Sequence, residues 1–106
     1  MAHQFTVYKN QNPDSKKTYP YFLDVQNTLL ESLNSRLVIP VTRHEYLGDS
    51  NISNLCPRIT VNDESCVMLT HQMTTVPVAA LKVPVTSIEH MRDDIVAAID
   101  FLITGI

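Results

Sequence analysis

Only one stretch of this chain reads as a long helix, and it closes the sequence: residues 86–106, TSIEHMRDDIVAAIDFLITGI. All 6 prolines fall before it, among short runs rich in β-forming residues and separated by polar turns. A proline removes a backbone donor and is tolerated in strands only at edges, first positions or bulges. The chain is thus constrained to a sheet of short strands followed by one helix. Thr86 and Glu89 have capping-box spacing, which predicts a helix start there. On a helical projection Ile88, Met91, Ile95, Ala98, Ile99, Leu102, Ile103 and Ile106 share a wide apolar arc. Glu89, His90, Asp93, Asp94 and Asp100 take the other side, and Phe101 falls among them. Gly105 sits where a helix stop is expected, because glycine adopts positive φ without steric cost. Thr104, Gly105 and Ile106 leave a carboxylate at the negative end of the helix dipole, which favours a cationic partner.

Residues 4–9 (QFTVYK) alternate as a strand, 10–17 (NQNPDSKK) form a polar loop with a mobile tip, and 18–25 (TYPYFLDV) return as a second strand. Residues 26–34 read as an irregular or helical turn in which Leu29 and Leu30 cannot both face one side of a strand. Residues 36–42 (RLVIPVT) are a strongly apolar strand, and Pro40 predicts a bulge or an edge. Residues 43–54 are loop with Gly48; 55–61 and 64–70 are strands joined by the turn pair Asn62-Asp63. Residues 76–85 read as extended. Short connections make the sheet antiparallel, giving a mainly β (α+β) domain over residues 1–106.

The net charge of −3 argues against direct nucleic-acid binding. No apolar stretch is long enough to span a membrane and no basic-then-apolar leader is present, so the expectation is cytoplasmic. In that compartment Cys56 and Cys66 are reduced core residues. His3, His44, His71 and His90 lack metal-site spacing, so neither metal nor cofactor is expected. His90 suits a surface ion pair with Asp93 or Asp94. Ser65 lacks a nucleophile elbow, and two glycines make no phosphate loop. The remaining catalytic constellation is Arg36, Arg43 or Arg58 paired with an acid or histidine across the sheet, which would suit RNA cleavage at the 2′-OH.

Several segments, in order along nearly the whole chain, resemble the CcdB toxins of bacterial toxin–antitoxin pairs. They are Phe22-Leu23-Asp24-Val25-Gln26, Arg36-Leu37-Val38-Ile39-Pro40, Asp63-Glu64-Ser65, Met73 with Val76-Pro77-Val78, and the terminal Gly105-Ile106. The resemblance implies a small SH3-like antiparallel barrel with a long C-terminal helix, forming a symmetric homodimer. It implies a toxin that is not an enzyme, with no catalytic residue, which binds the A subunit of DNA gyrase and traps the cleaved gyrase–DNA complex. The gyrase-contacting positions of the family fall on Thr104, Gly105, Ile106, Ile103, Asp100, Leu29 and Leu30. The best-known member carries a large aromatic where this chain has Thr104; such anchors contribute roughly 2 kcal/mol or more. Phe101 is the candidate substitute. The resemblance also implies a CcdA-like antitoxin on the side of the loops 9–17 and 43–51, with Lys9, Lys16, Lys17 and Arg43 facing an acidic segment, and contact with operator DNA only through that complex. Since mRNA-cleaving ribonuclease toxins share this barrel fold, that activity is the alternative.

Overall fold

The computed structural model describes residues 3–46 and 54–105; Gly48, the end of the 43–51 loop and Ile106 lie outside them. Among the described residues seven strands form one curled antiparallel sheet: β1 (Thr6–Lys9), β2 (Tyr21–Asp24), β3 (Ser35–Arg43), β4 (Arg58–Val61), β5 (Glu64–Met68), β6 (Thr74–Pro77) and β7 (Pro84–Ser87). Their order is β4-β5-β3-β2-β1-β7, with β6 also paired to β3. One helix, α1 (Arg92–Thr104), follows.

Strand β3 organises this sheet. One side pairs with β2, from Tyr21↔Val41 to Asp24↔Val38. The other pairs first with β6, from Ser35↔Pro77 to Val38↔Thr74, and then with β5, from Val41↔Met68 to Arg43↔Cys66. Pro40 is therefore neither at an edge nor in a bulge but inside the central strand. It falls where β3 passes from β6 to β5, so its missing N–H deprives no ladder of a donor. Its carbonyl accepts from the Leu69 N–H at 2.9 Å.

Alternation along the strands divides the side chains between two covered faces. Val7, Leu23, Ile39, Val41, Cys66 and Met68 enter the main core, which Ile88 and Ile95 close. Their sequence neighbours Tyr8, Phe22 and Val38 form a second cluster with Leu81, and Val67 a third with Cys56 and Leu69. The turn between β4 and β5 matches its sequence signature: Asn62 and Asp63 both take positive φ, as a tight hairpin with right-handed strand twist requires. The early loop is tied together at its base. Buried Asn10 donates to Ser15 Oγ at 2.9 Å and to the Tyr19 carbonyl at 2.8 Å.

Several boundaries differ from expectation: β2 spans Tyr21–Asp24 rather than 18–25, β4 begins at Arg58 rather than 55, β5 ends at Met68 rather than 70, and three further differences have a clear local cause. Strand β1 starts at Thr6 because Phe5 turns to φ +63°, its N–H donating to the Asp24 carbonyl at 2.6 Å. The extended reading of 76–85 breaks into β6, a 3-10 turn at Val78–Ala80, and β7. The helix starts at Arg92, not at Thr86: Thr86 pairs with Val7 in the sheet, a 3-10 turn (Glu89–Met91) intervenes, and no side chain caps the helix. The capping box is thus overridden by strand pairing. The ion pair expected of His90 is formed by Arg92 with Asp93, at 3.7 Å on the surface. At the other end Gly105 takes φ +75° and its N–H donates to the Phe101 carbonyl at 2.9 Å, as the glycine stop requires.

Both cysteines are buried, and neither is in a disulfide. Burial, then the nearby Glu64 carboxylate, pushes the Cys66 thiol up from 9.0 to about 11, against the opposing pull of Arg43. Because the raised value favours the neutral thiol in the fold, its contribution is complete below pH 9 and is lost as pH rises through about 11. Urea unfolding is expected to show stability declining over that window by on the order of 2 kcal/mol. The gap between the unaltered chain and Cys66→Ala should narrow with it; a gap constant across the window would refute the assignment.

Candidate functional site

Among the described residues, large apolar side chains left in solvent gather mainly in two places, with Val78 exposed besides. The 3-10 turn at Thr28–Leu30 and the residues after it expose Leu29 by 86%, with Leu30 and Leu33 at 49% each. Both adjacent leucines are exposed, where the sequence required only one to be. The last turn of α1 exposes Leu102 by 38% and Ile103 by 72%. Further up the helix, Ile95 and Ala98 are buried, and Met91 and Ile99 pack against the main core. The apolar arc of α1 therefore outruns the sheet that covers it. Phe101 is half-buried, Asp100 and Gly105 are exposed, and the Thr104 hydroxyl folds back to donate to the Asp100 carbonyl at 2.7 Å. Ile106 is outside the described residues.

Beneath the leucine turn lies a buried polar assembly in which Arg36, one of the arginines expected to pair with an acid across the sheet, meets Asp24. Arg36, 1% exposed, donates from Nε to Asp24 Oδ2 at 2.9 Å and from a terminal nitrogen to Asp24 Oδ1 at 3.1 Å; Asp24 is fully buried. Asp24 Oδ1 also accepts the Gln26 N–H at 3.0 Å. The Gln26 amide then spans outward, donating to the Leu30 carbonyl at 2.9 Å while its oxygen accepts the Leu37 N–H at 3.0 Å. On the solvent side the Leu29 N–H donates to Asn27 Oδ1 at 2.8 Å, capping the turn. A signal existed in the sequence, two strongly polar residues at the end of an apolar strand, but alone it does not say that they face inward.

Of the candidate catalytic arginines, Arg36 is sealed from solvent by its ion pair, and Arg58 sits exposed on β4. Arg43 meets Glu64 at 2.8 Å across β3 and β5, with both side chains partly exposed. Tyr21 adjoins them; burial, then Glu64, raises its phenol. Cys56 lies 3.5 Å from His71 Nδ1, yet burial pushes its thiol up, away from the thiolate that a nucleophile requires. Of the residues assigned to the antitoxin side, Lys9, Lys16 and Lys17 are exposed on or beside the early loop, whereas Arg43 is half-buried and engaged by Glu64. A cleft of about 350 Å³ lies next to this loop, between Asn10, Asn12 and Phe22 on one side and Val76 and Lys82 on the other.

Against this geometry, the family model for the CcdB protein matches residues 4–105. The chain belongs to the CcdB family. The match covers every strand and α1, so the curled antiparallel sheet with its terminal helix is the family's domain rather than a chance likeness of a few segments. Membership makes the chain a toxin of a toxin–antitoxin system. No helix among the described residues is long and apolar enough to cross a membrane.

Proposed function

We propose that this CcdB-family toxin acts as a homodimer that binds the A subunit of DNA gyrase, traps the cleaved gyrase–DNA complex, and so blocks replication and transcription. Binding, not catalysis, carries the effect. The supporting observation is the pair of exposed apolar elements, Leu29-Leu30 and the Leu102-Ile103 end of α1, at or beside the family's target-contacting positions. Apolar side chains are costly to leave in water, and contiguous exposed ones mark interaction surfaces. A two-fold dimer would present each element twice to a two-fold target. Thr104, Gly105, Ile106, Asp100 and Ile103 complete the surface in this reading, and Phe101 replaces the family aromatic as anchor.

A CcdA-like antitoxin would neutralise the toxin and join it in repression at operator DNA. Exposed Lys9, Lys16 and Lys17 suit an acidic segment, with the adjoining cleft offering its apolar contacts. Each screened surface pair contributes under about 1 kcal/mol, so apolar burial would carry most of the affinity.

The test is a gyrase cleavage assay with ATP and supercoiled plasmid, comparing the full chain with one lacking residues 104–106 after both are shown to be folded. Linear DNA released by detergent and protease is expected with the full chain and not with the truncation. The Arg43–Glu64 pair beside Tyr21 supplies the observation behind the second reading, a ribonuclease toxin. RNA degradation by the full chain without trapped cleavage would replace the first reading with that one.

A further inference from the structure

The Leu29-Leu30 turn is held out in solvent by something other than its own packing, and we infer that Gln26 is the residue that positions it for target binding. The inference rests on the gyrase-binding reading of that turn. A 3-10 turn of three residues with no buried member has little intrinsic stability, since fixing each residue costs roughly 1–2 kcal/mol of backbone entropy. Leu29, 86% exposed, returns little toward that cost, and Leu30, 49% exposed, returns only part of what full burial would. Backbone bonds from Leu30 to Asn27, Glu31 to Thr28 and Leu33 to Leu30 close the turn on itself, Asn27 caps it from outside, and the Gln26 side chain is what ties it to the central strand.

Gln26 has the geometry of a strut. Its backbone N–H is tied to Asp24 and its carbonyl is approached by Arg36 at 3.4 Å, so its own position is set by the buried ion pair. Gln26 is buried, at 8% exposure, and its side chain joins Leu30 on the turn to Leu37 on β3 through one amide. A glutamine amide carries both a donor and an acceptor, so one side chain can serve the Leu30 carbonyl and the Leu37 N–H together. The central strand and the exposed leucines are thereby connected through one side chain. Loss of that connection is expected to let the turn sample other conformations, so that target binding bears the ordering cost. Gln26 touches no target in this scheme and acts through Leu29 and Leu30.

The experiment uses the full chain with Gln26→Ala, and Gln26→Met as a second variant that keeps the buried volume while removing both amide bonds, should the first prove poorly folded. Amide exchange at residues 28–33 is expected to quicken at least tenfold in either variant, while exchange in α1 and in β3, apart from Leu37 whose N–H loses its Gln26 acceptor, is unchanged. Affinity for the gyrase A subunit is expected to fall about tenfold. In a Leu29→Ala/Leu30→Ala background the same replacements should cost nothing further, because the contacts they position are gone. An equal loss in that background would show a general structural effect and overturn the positioning role, as would unchanged exchange. If the unaltered chain does not bind the A subunit, the target reading fails, and exchange at 28–33 still decides whether Gln26 holds the turn.

Discussion

Arg36→Ala is expected to destabilise the fold by about 3–5 kcal/mol, the range for removing one partner of a buried ion pair. Asp24 is fully buried and Arg36 is 1% exposed, so no water is at hand to solvate the carboxylate once the guanidinium is gone. Two hydrogen bonds to Asp24 and one to the Gln26 carbonyl would be lost together. Domains of this size are stable by only about 5–15 kcal/mol in total, so the variant should unfold at markedly lower urea. Lys at this position should recover little, because a single ammonium cannot reproduce the two-pronged contact. Replacing both partners by apolar residues of similar volume should recover most of the loss, since desolvation of the charges largely offsets their attraction. Urea melts at one fixed protein concentration check all three. A loss below about 1 kcal/mol for Arg36→Ala would mean that the pair behaves as a solvated surface bridge.

The second large effect is functional and should leave stability alone. Leu29→Asp with Leu30→Asp is expected to abolish toxicity on expression and weaken binding to the gyrase A subunit at least a hundredfold, about 2.7 kcal/mol. Leu29 is 86% exposed and Leu30 49%, neither belongs to a core cluster, and the turn's hydrogen bonds come from its own backbone, Asn27 and Gln26 rather than from either leucine side chain. Exposed substitutions of this kind usually change stability by no more than about 0.5 kcal/mol. The melting temperature should therefore hold while binding fails, because two carboxylates would be driven into an apolar contact without partners. Retained toxicity would remove the turn from the target surface. Toxicity lost together with a sharp fall in melting temperature would instead assign these leucines to the fold.

What the sequence by itself determined is local. Asn62-Asp63 specified a hairpin because both residues tolerate positive φ, and Gly105 specified the helix stop for the same reason. Alternation in the apolar runs located most strands, and the ordered family segments led to the CcdB resemblance that the match over residues 4–105 bears out. Tertiary structure alone decided the rest. Thr86 has the chemistry of a helix cap, yet strand pairing with Val7 outweighs a cap of about 1 kcal/mol. Pro40 reads as an edge residue in any linear view; only the change of partner along β3 shows why it is harmless in the centre. Asp24 and Arg36 stand 12 positions apart, and nothing local announces that they meet. The register of β2 on β3 turns both inward, and once they are out of water each requires the other. Which side chains a fold removes from solvent is a property of the assembled sheet, so the buried support of the leucine turn is visible only there.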